Sequence, residues 1–266
     1  MRPGEPSVTA RRVAAQRLEF ERVPVAYGDA AAEEALARNV AGDLAGMPPG
    51  PMSRYLAART LFFDRFVVRG LETGIDQVVV LAAGYDGRAF RYARAGTRWF
   101  EVDHPDTQRD KVGRVGDLGL DTAHITFVPA DFGSDQVDEA LIGAGLDSGA
   151  RALFLCEGVA VYLELSVLET LLSGVRRVAA PGSRLAISVS VNTPDQAGME
   201  RRQRFRARVA LIGEEARTVL EPGAADALLE RLGWQPEVGG AGSDGPVVSD
   251  ASVRLRMAGL ITAVAG

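Results

Sequence analysis

The chain has 266 residues, 47% of them hydrophobic and 24% charged, with a formal net charge of −5. That is the composition of one enlarged globular domain with a real core, and the acidic balance speaks against a nucleic-acid partner, since phosphate neutralisation needs a basic surface. The single cysteine, Cys156, lies in the apolar run RALFLCEG, which excludes an intrachain disulfide, fits a reducing compartment and is expected to be strand filler.

The opening MRPGEPSVTARRVAA has no apolar signal segment, and no stretch approaches the roughly 20 apolar residues that span a bilayer. The expectation is a cytoplasmic protein that does not engage a membrane. Residues 7–70 read as helical, in the pieces SVTARRVAAQRLEFER, DAAAEEALARNVAG and SRYLAARTLFFDRFVVRG, broken at Pro24, Gly28 and MPPGP. From Gln77 onward short apolar runs alternate with amphipathic stretches: QVVVLAAG, RWFEVD, HITFVPAD, RALFLCEG and SRLAISVSV. This βαβ alternation predicts an α/β fold, a doubly wound, mostly parallel sheet with helices on both faces. Ser166 and Glu169 have the spacing of a capping box, so the helix after the fourth strand is expected to open at Ser166 and stop at Pro181–Gly182. A polar, arginine-rich helix is expected near 194–212, another near 222–232, and a final apolar segment in VRLRMAGLITAVAG. The division expected is a helical cap over 1–75, a cofactor-binding core over 76–192, a helical acceptor-side insert over 193–233 and C-terminal strands over 234–266, all within one domain.

In such a sheet ligands bind beyond the carboxyl ends of the strands, where the strand order reverses. Each of the first four strands ends on a glycine or an acid: Gly84, Asp103, Asp131 followed by Phe132, and Glu157. Ala82, Gly84 and Gly87 keep the spacing of a dinucleotide-binding loop, which serves nicotinamide, flavin and S-adenosylmethionine cofactors alike. Asp103 stands 19 residues after Gly84, the distance at which an acid receives ribose hydroxyls; the alternative is a cap on the helix HPDTQRDKVGRV. Asp131 and Phe132 are candidates for an adenine, or for a turn. Glu157 interrupts apolar residues on both sides, so a positive partner must be close. That partner is the α-ammonium group of S-adenosylmethionine or a structural arginine. Arg59 lies on the apolar stripe of its helix, so it either snorkels or reaches a carboxylate, for which the methionyl carboxylate would serve.

Together these segments resemble the leucine carboxyl methyltransferase family, especially its bacterial and polyketide O-methyltransferase branch. The pieces that carry the resemblance are SVTARRVAAQR, ARTLFFDRFV, QVVVLAAGYDGRAFR, FEVDHPDTQRDK, VPADF, CEGVAVYL and LGW, in family order from about residue 7 to 234. The resemblance implies a Rossmann-like class I methyltransferase fold with an N-terminal helical lid, binding S-adenosyl-L-methionine. It implies Arg59, and more loosely Arg17, on the methionyl carboxylate, and Glu157 at its amino end. Ala82, Gly84 and Asp86 fall in the loop, Asp103 with His104 at the ribose, and Asp131 with Phe132 at the adenine. Two positions depart from the family pattern: Ala82 replaces the first loop glycine and Gly87 the threonine, and both bear on cofactor affinity.

Methyl transfer is an in-line displacement in which the protein mainly positions the reactants. No metal is suggested, because His104 and His124 lie beside strands two and three and form no ligand cluster. Neither histidine reads as a general base, and the only lysine, Lys111, is expected on a surface helix. The acceptor is therefore expected to be a small-molecule carboxylate or acidic hydroxyl, which the resemblance implies belongs to a polyketide-like or other secondary metabolite. Tyr162, or a carboxylate such as Asp86, could assist, and Arg204 and Arg206 within RRQRFRAR could orient an anionic acceptor; the plainer reading of that run is a solvated helix face. Two other readings stay open: an NAD(P)-dependent oxidoreductase, and a catalytically silent binding protein. The sequence leaves a homodimer open as well.

Overall fold

The computed structural model of the chain describes residues 7–42, 52–192, 216–237 and 259–266. The expected arginine-rich helix near 194–212, with Arg204 and Arg206, lies outside the described residues.

Three helices precede the sheet: α1 (Val8–Arg17), α2 (Ala30–Ala41) and α3 (Ser53–Glu72). The first two begin at side-chain caps, where Ser7 accepts from the Ala10 N–H at 3.1 Å and Asp29 from the Ala32 N–H at 2.9 Å. α3 buries Leu56, Phe63, Phe66, Val67 and Leu71 along one stripe. Phe63, Phe66, Val67 and Leu71 of that stripe meet Val78 and Val80 of β1 and Leu153 and Leu155 of β4 in one of two cores.

Seven strands follow: β1 (Gln77–Leu81), β2 (Arg98–Asp103), β3 (Ile125–Pro129), β4 (Ala152–Cys156), β5 (Arg184–Ser188), β6 (Trp234–Pro236) and β7 (Leu260–Ala265). Between them lie α4 (Arg88–Arg91), α5 (Pro105–Asp117), α6 (Val137–Gly143), α7 (Leu165–Arg177) and α8 (Ala224–Arg231). The sheet order is β3-β2-β1-β4-β5-β7-β6, with the first five strands parallel and β7 antiparallel to both neighbours. β1 and β4 are buried at every position because helices cover both faces, which is why QVVVL and ALFLC do not alternate. On the second face Val79, Phe154, Leu172, Leu185 and Trp234 share the other core. From β1 the chain winds outward to β3, then returns to β4, so the crevice where the order reverses opens between the ends of β1 and β4.

Two expectations need correcting. α7 is capped by Glu164, without a side-chain hydrogen bond, and closes at Arg177, ahead of Pro181. A 3-10 turn over Ala160–Tyr162 is followed by the extended residues Leu163 and Glu164, and the helix begins at Leu165. Ser166 is thereby left in the first turn, where its carbonyl accepts from the Thr170 hydroxyl at 3.0 Å. Lys111 is not on the surface: it is 1% exposed, because α5 turns it under the loop after β1. Among the described residues no helix is long and apolar enough to cross a membrane.

Candidate cofactor site

The loop after β1 is held from β2. The Ala83 N–H donates to the Val102 carbonyl at 3.1 Å, and the Asp86 N–H closes a turn onto Ala83 O at 2.8 Å. To make that turn Ala82 takes φ +53° and Gly84 φ +51°. Among the described residues Ala82 is the single non-glycine with positive φ, where an L side chain crowds its own carbonyl. A Cβ on Gly84 would stand 3.1 Å from Ala10 Cβ, so α1 roofs the loop directly. At Gly87 a Cβ would run into the Glu33 side chain. The missing threonine is thus matched by a glutamate from α2 in the same space.

Asp103, at the end of β2, accepts from the Gly84 N–H and, at 2.6 Å, from the His104 N–H. Burial raises its carboxyl above the usual range, and the two N–H donors offset part of that rise. A carboxylate has about four acceptor positions, so two bonds leave capacity for a pair of ribose hydroxyls. His104 is the N-cap of α5, its Nδ1 accepting from the Asp106 N–H at 3.3 Å. The Ala130 N–H donates to the Asp103 carbonyl at 2.9 Å, which sets the end of β3 beside it. There Asp131 is exposed and accepts from the Gly133 N–H at 2.9 Å, while Phe132 packs on the apolar core.

Across the crevice, charged side chains form one buried cluster. Glu157 takes Arg59 Nε at 3.0 Å, Arg88 Nη1 at 2.6 Å and Arg17 Nη2 at 3.0 Å. Asp86 takes Arg88 at 2.5 Å and Arg17 at 3.3 Å. Behind them Asp64 of α3 binds Arg88 Nε at 2.7 Å and Arg22 Nε at 2.6 Å. Burial alone would raise these carboxyls, but the guanidiniums outweigh it. Arg88, Arg17 and Arg59 hold Glu157 well below the ordinary range, Arg88 and Arg17 lower Asp86, and Arg88 and Arg22 lower Asp64. The cation that Glu157 required and the carboxylate that Arg59 required are therefore each other, within a larger set. Arg17 Nε, buried, has no hydrogen-bond partner among the described residues.

The structure gathers Arg17, Arg59, Asp86 and Glu157 into this cluster, and Ala82, Gly84, Asp103 and His104 around the neighbouring loop. Tyr162 closes the 3-10 turn after β4 and is half-buried. Sequence reasoning gave no role to Arg88, the fully buried hub, or to Asp64. The same signal that marked Glu157, an acid inside an apolar run, was present for Asp64 in FFDRF.

The fit to S-adenosylmethionine rests on two observations: spare acceptor capacity at Asp103 and an unpaired buried Arg17 Nε. The antiparallel β7 between β5 and β6 departs from the 3-2-1-4-5-6 order of dinucleotide-binding Rossmann sheets. Comparison with known proteins agrees. The pattern of the leucine carboxyl methyltransferase family matches residues 13–176. A Parafrankia sp. (strain EAN1pec) protein named "Putative S-adenosyl-L-methionine-dependent methyltransferase" is 39% identical over 201 residues, 73% of this chain and 62% of the relative. A relative of the same name from Mycobacterium bovis (strain BCG / Pasteur 1173P2) is 35% identical over 233 residues, 82% of this chain and 73% of its own length. The chain thus spans somewhat under two thirds of the first relative and under three quarters of the second. Among solved structures, a "putative methyltransferase" from Thermobifida fusca YX superposes with a TM-score of 0.61 at 17% identity, covering 99% of this chain and 96% of its own. The chain has a Rossmann-like fold and belongs to the leucine carboxyl methyltransferase family.

Proposed function

We propose that the protein methylates an oxygen of a small-molecule acceptor, a carboxylate or acidic hydroxyl of a polyketide-like metabolite, using S-adenosylmethionine. In this reading Arg59 and Arg17 receive the methionyl carboxylate and Glu157 faces the amino end. Asp103 takes the ribose, and Asp131 with Phe132 takes the adenine. The bound cofactor supplies an electrophilic methyl group on sulfur. The chain's own contribution is to orient both partners and exclude water, an effect on the order of 7–11 kcal/mol for well-aligned reactants. Tyr162, in the 3-10 turn after β4, is the side chain this reading assigns to orienting the acceptor.

One observation carries the choice of acceptor: the nitrogen bases are committed elsewhere. His104 Nδ1 caps α5, His124 Nε2 donates to the Ala89 carbonyl at 2.7 Å, and Lys111 is bound to Glu101. A phenol of pKa about 10 is ionised to roughly one part in a thousand at neutral pH, a deficit of about 4 kcal/mol that a base must offset. A carboxylate is already an anion.

The test is a panel of aromatic and polyketide carboxylic acids and matched phenols incubated with protein and cofactor. Alkali-labile methyl products, releasing methanol, are expected from the acids at rates well above those from the phenols. Exclusively alkali-stable ethers would contradict the carboxylate reading.

A further inference from the structure

The chain contains 30 lysines and arginines, of which one, Lys111, is lysine, leaving 29 arginines. That one lysine is buried under the cofactor loop. Lys111 Nζ donates to the Asp86 carbonyl at 2.7 Å and to Glu101 Oε2 at 2.5 Å. Glu101 is itself 1% exposed, and its Oε1 has no hydrogen-bond partner among the described residues. Gln108, one turn before Lys111 on α5, donates to the Glu101 carbonyl at 2.8 Å. A compact ammonium with three donors fits between a carboxylate and a carbonyl where a planar guanidinium fork would not.

We propose that Lys111 is a positioning residue for cofactor binding: it fixes the glycine loop by its bond to the Asp86 carbonyl, with Glu101 as its counter-ion. Three successive residues of β2 then hold three points of the loop. Asp103 holds the Gly84 N–H through its carboxylate, Val102 holds the Ala83 N–H through its carbonyl, and Glu101 holds the Asp86 carbonyl through Lys111. Glu101 and Asp103 share one face of β2, two residues apart. The three points are not equivalent when the site fills. Asp103 must divide its acceptor capacity with the ribose, whereas Lys111 makes its bond from beneath and keeps it. Lys111 is thus the anchor that holds the loop while Asp103 changes partners. This inference rests on the cofactor reading given above.

A charge-free replacement separates this role from simple core filling, because exchanging a buried ion pair for apolar residues of similar volume is often neutral or stabilising. Lys111→Met/Glu101→Leu is expected to melt within a few degrees of the wild type. Its backbone amides at 83–88 are expected to exchange with deuterium at least tenfold faster in the unliganded protein, and its affinity for S-adenosylhomocysteine to fall about tenfold. Glu101→Gln leaves the buried Lys111 ammonium without its counter-ion, so it is expected to loosen the loop as well. Wild-type loop exchange in the double variant would overturn the proposal, as would an acceleration spread evenly over the sheet that does not single out residues 83–88. The exchange measurement needs no ligand. If the wild type bound no S-adenosylhomocysteine, the cofactor reading would fail while the anchor would still be decided.

Discussion

At the scale of single residues, Ala82 marks the point where the chain departs from the geometry its sequence prefers. Its φ of +53° belongs to glycine, and an L side chain there costs about 1–2 kcal/mol. Substituting glycine also makes the unfolded chain more flexible, at about 0.4–1 kcal/mol. Ala82→Gly is therefore expected to stabilise the protein by roughly 0.5–1 kcal/mol and raise its melting temperature by about 1–3 °C, read by calorimetry. A lower melting temperature would mean that the loop does not hold this conformation in solution. Gly87 tells the opposite story. Its lost side chain is made good by Glu33, which also binds Arg22 at 2.5 Å and pairs with Arg91, so the substitution is absorbed by packing. Both departures were plain in the sequence. Their consequences were not, because a backbone angle and a neighbour from α2 decide them.

Among the elements, α1 is the one that meets both the loop and the ion cluster, and it packs on α2 and α3. Its cap is one hydroxyl, Ser7; its contact with the loop is Ala10 against Gly84; and its far end is tied down by Arg17. Ser7→Ala is expected to weaken the helix by about 1 kcal/mol. Amides of residues 10–14 should then exchange several-fold faster, with those of β1 and β4 unchanged. Uniform acceleration would instead show that α1 opens only with the whole fold. The strands were legible because each is an apolar run ended by a glycine or an acid. Helix α5 was legible as an element but misread in its orientation: PDTQRDKVGRVGD looks like a solvent face, and only the turn at His104 sets Lys111 inward. The cap of α7 was misread because Glu164 is the extended residue before the helix and Leu165 is already helical, which puts Ser166 inside the first turn.

For the molecule as a whole, the acids of the site act on stability in opposite directions. Asp64, Asp86 and Glu157 have folded pKa values below their unfolded values of 3.8, 3.8 and 4.5, so the stability they confer is complete above those values and is lost as pH falls below them. Burial raises Glu101 and Asp103, so each costs stability once ionised, and protonation in mild acid relieves that cost. Urea denaturation from pH 7 downward should show stability level or slightly rising to about pH 5 and dropping steeply below about pH 4. A steady decline from pH 7 would show that the cluster is not formed as described. The fold class, the family and the strand-end positions could all be read from the chain. The ion cluster could not, because its partners are separated by as many as 140 residues (Arg17 to Glu157, 157 − 17) and no periodicity links them.

The loop after β1, with Asp103 beside it, is the proposed seat of S-adenosylmethionine. Calorimetric titration of the protein with S-adenosylmethionine, S-adenosylhomocysteine and NADPH, together with an Asp103→Ala variant, tests it most directly. Micromolar binding of the first two ligands, none of NADPH, and at least tenfold weaker binding in the variant are expected. Binding of NADPH with neither of the others would contradict it and reassign Asp103 to the ribose of a nicotinamide cofactor.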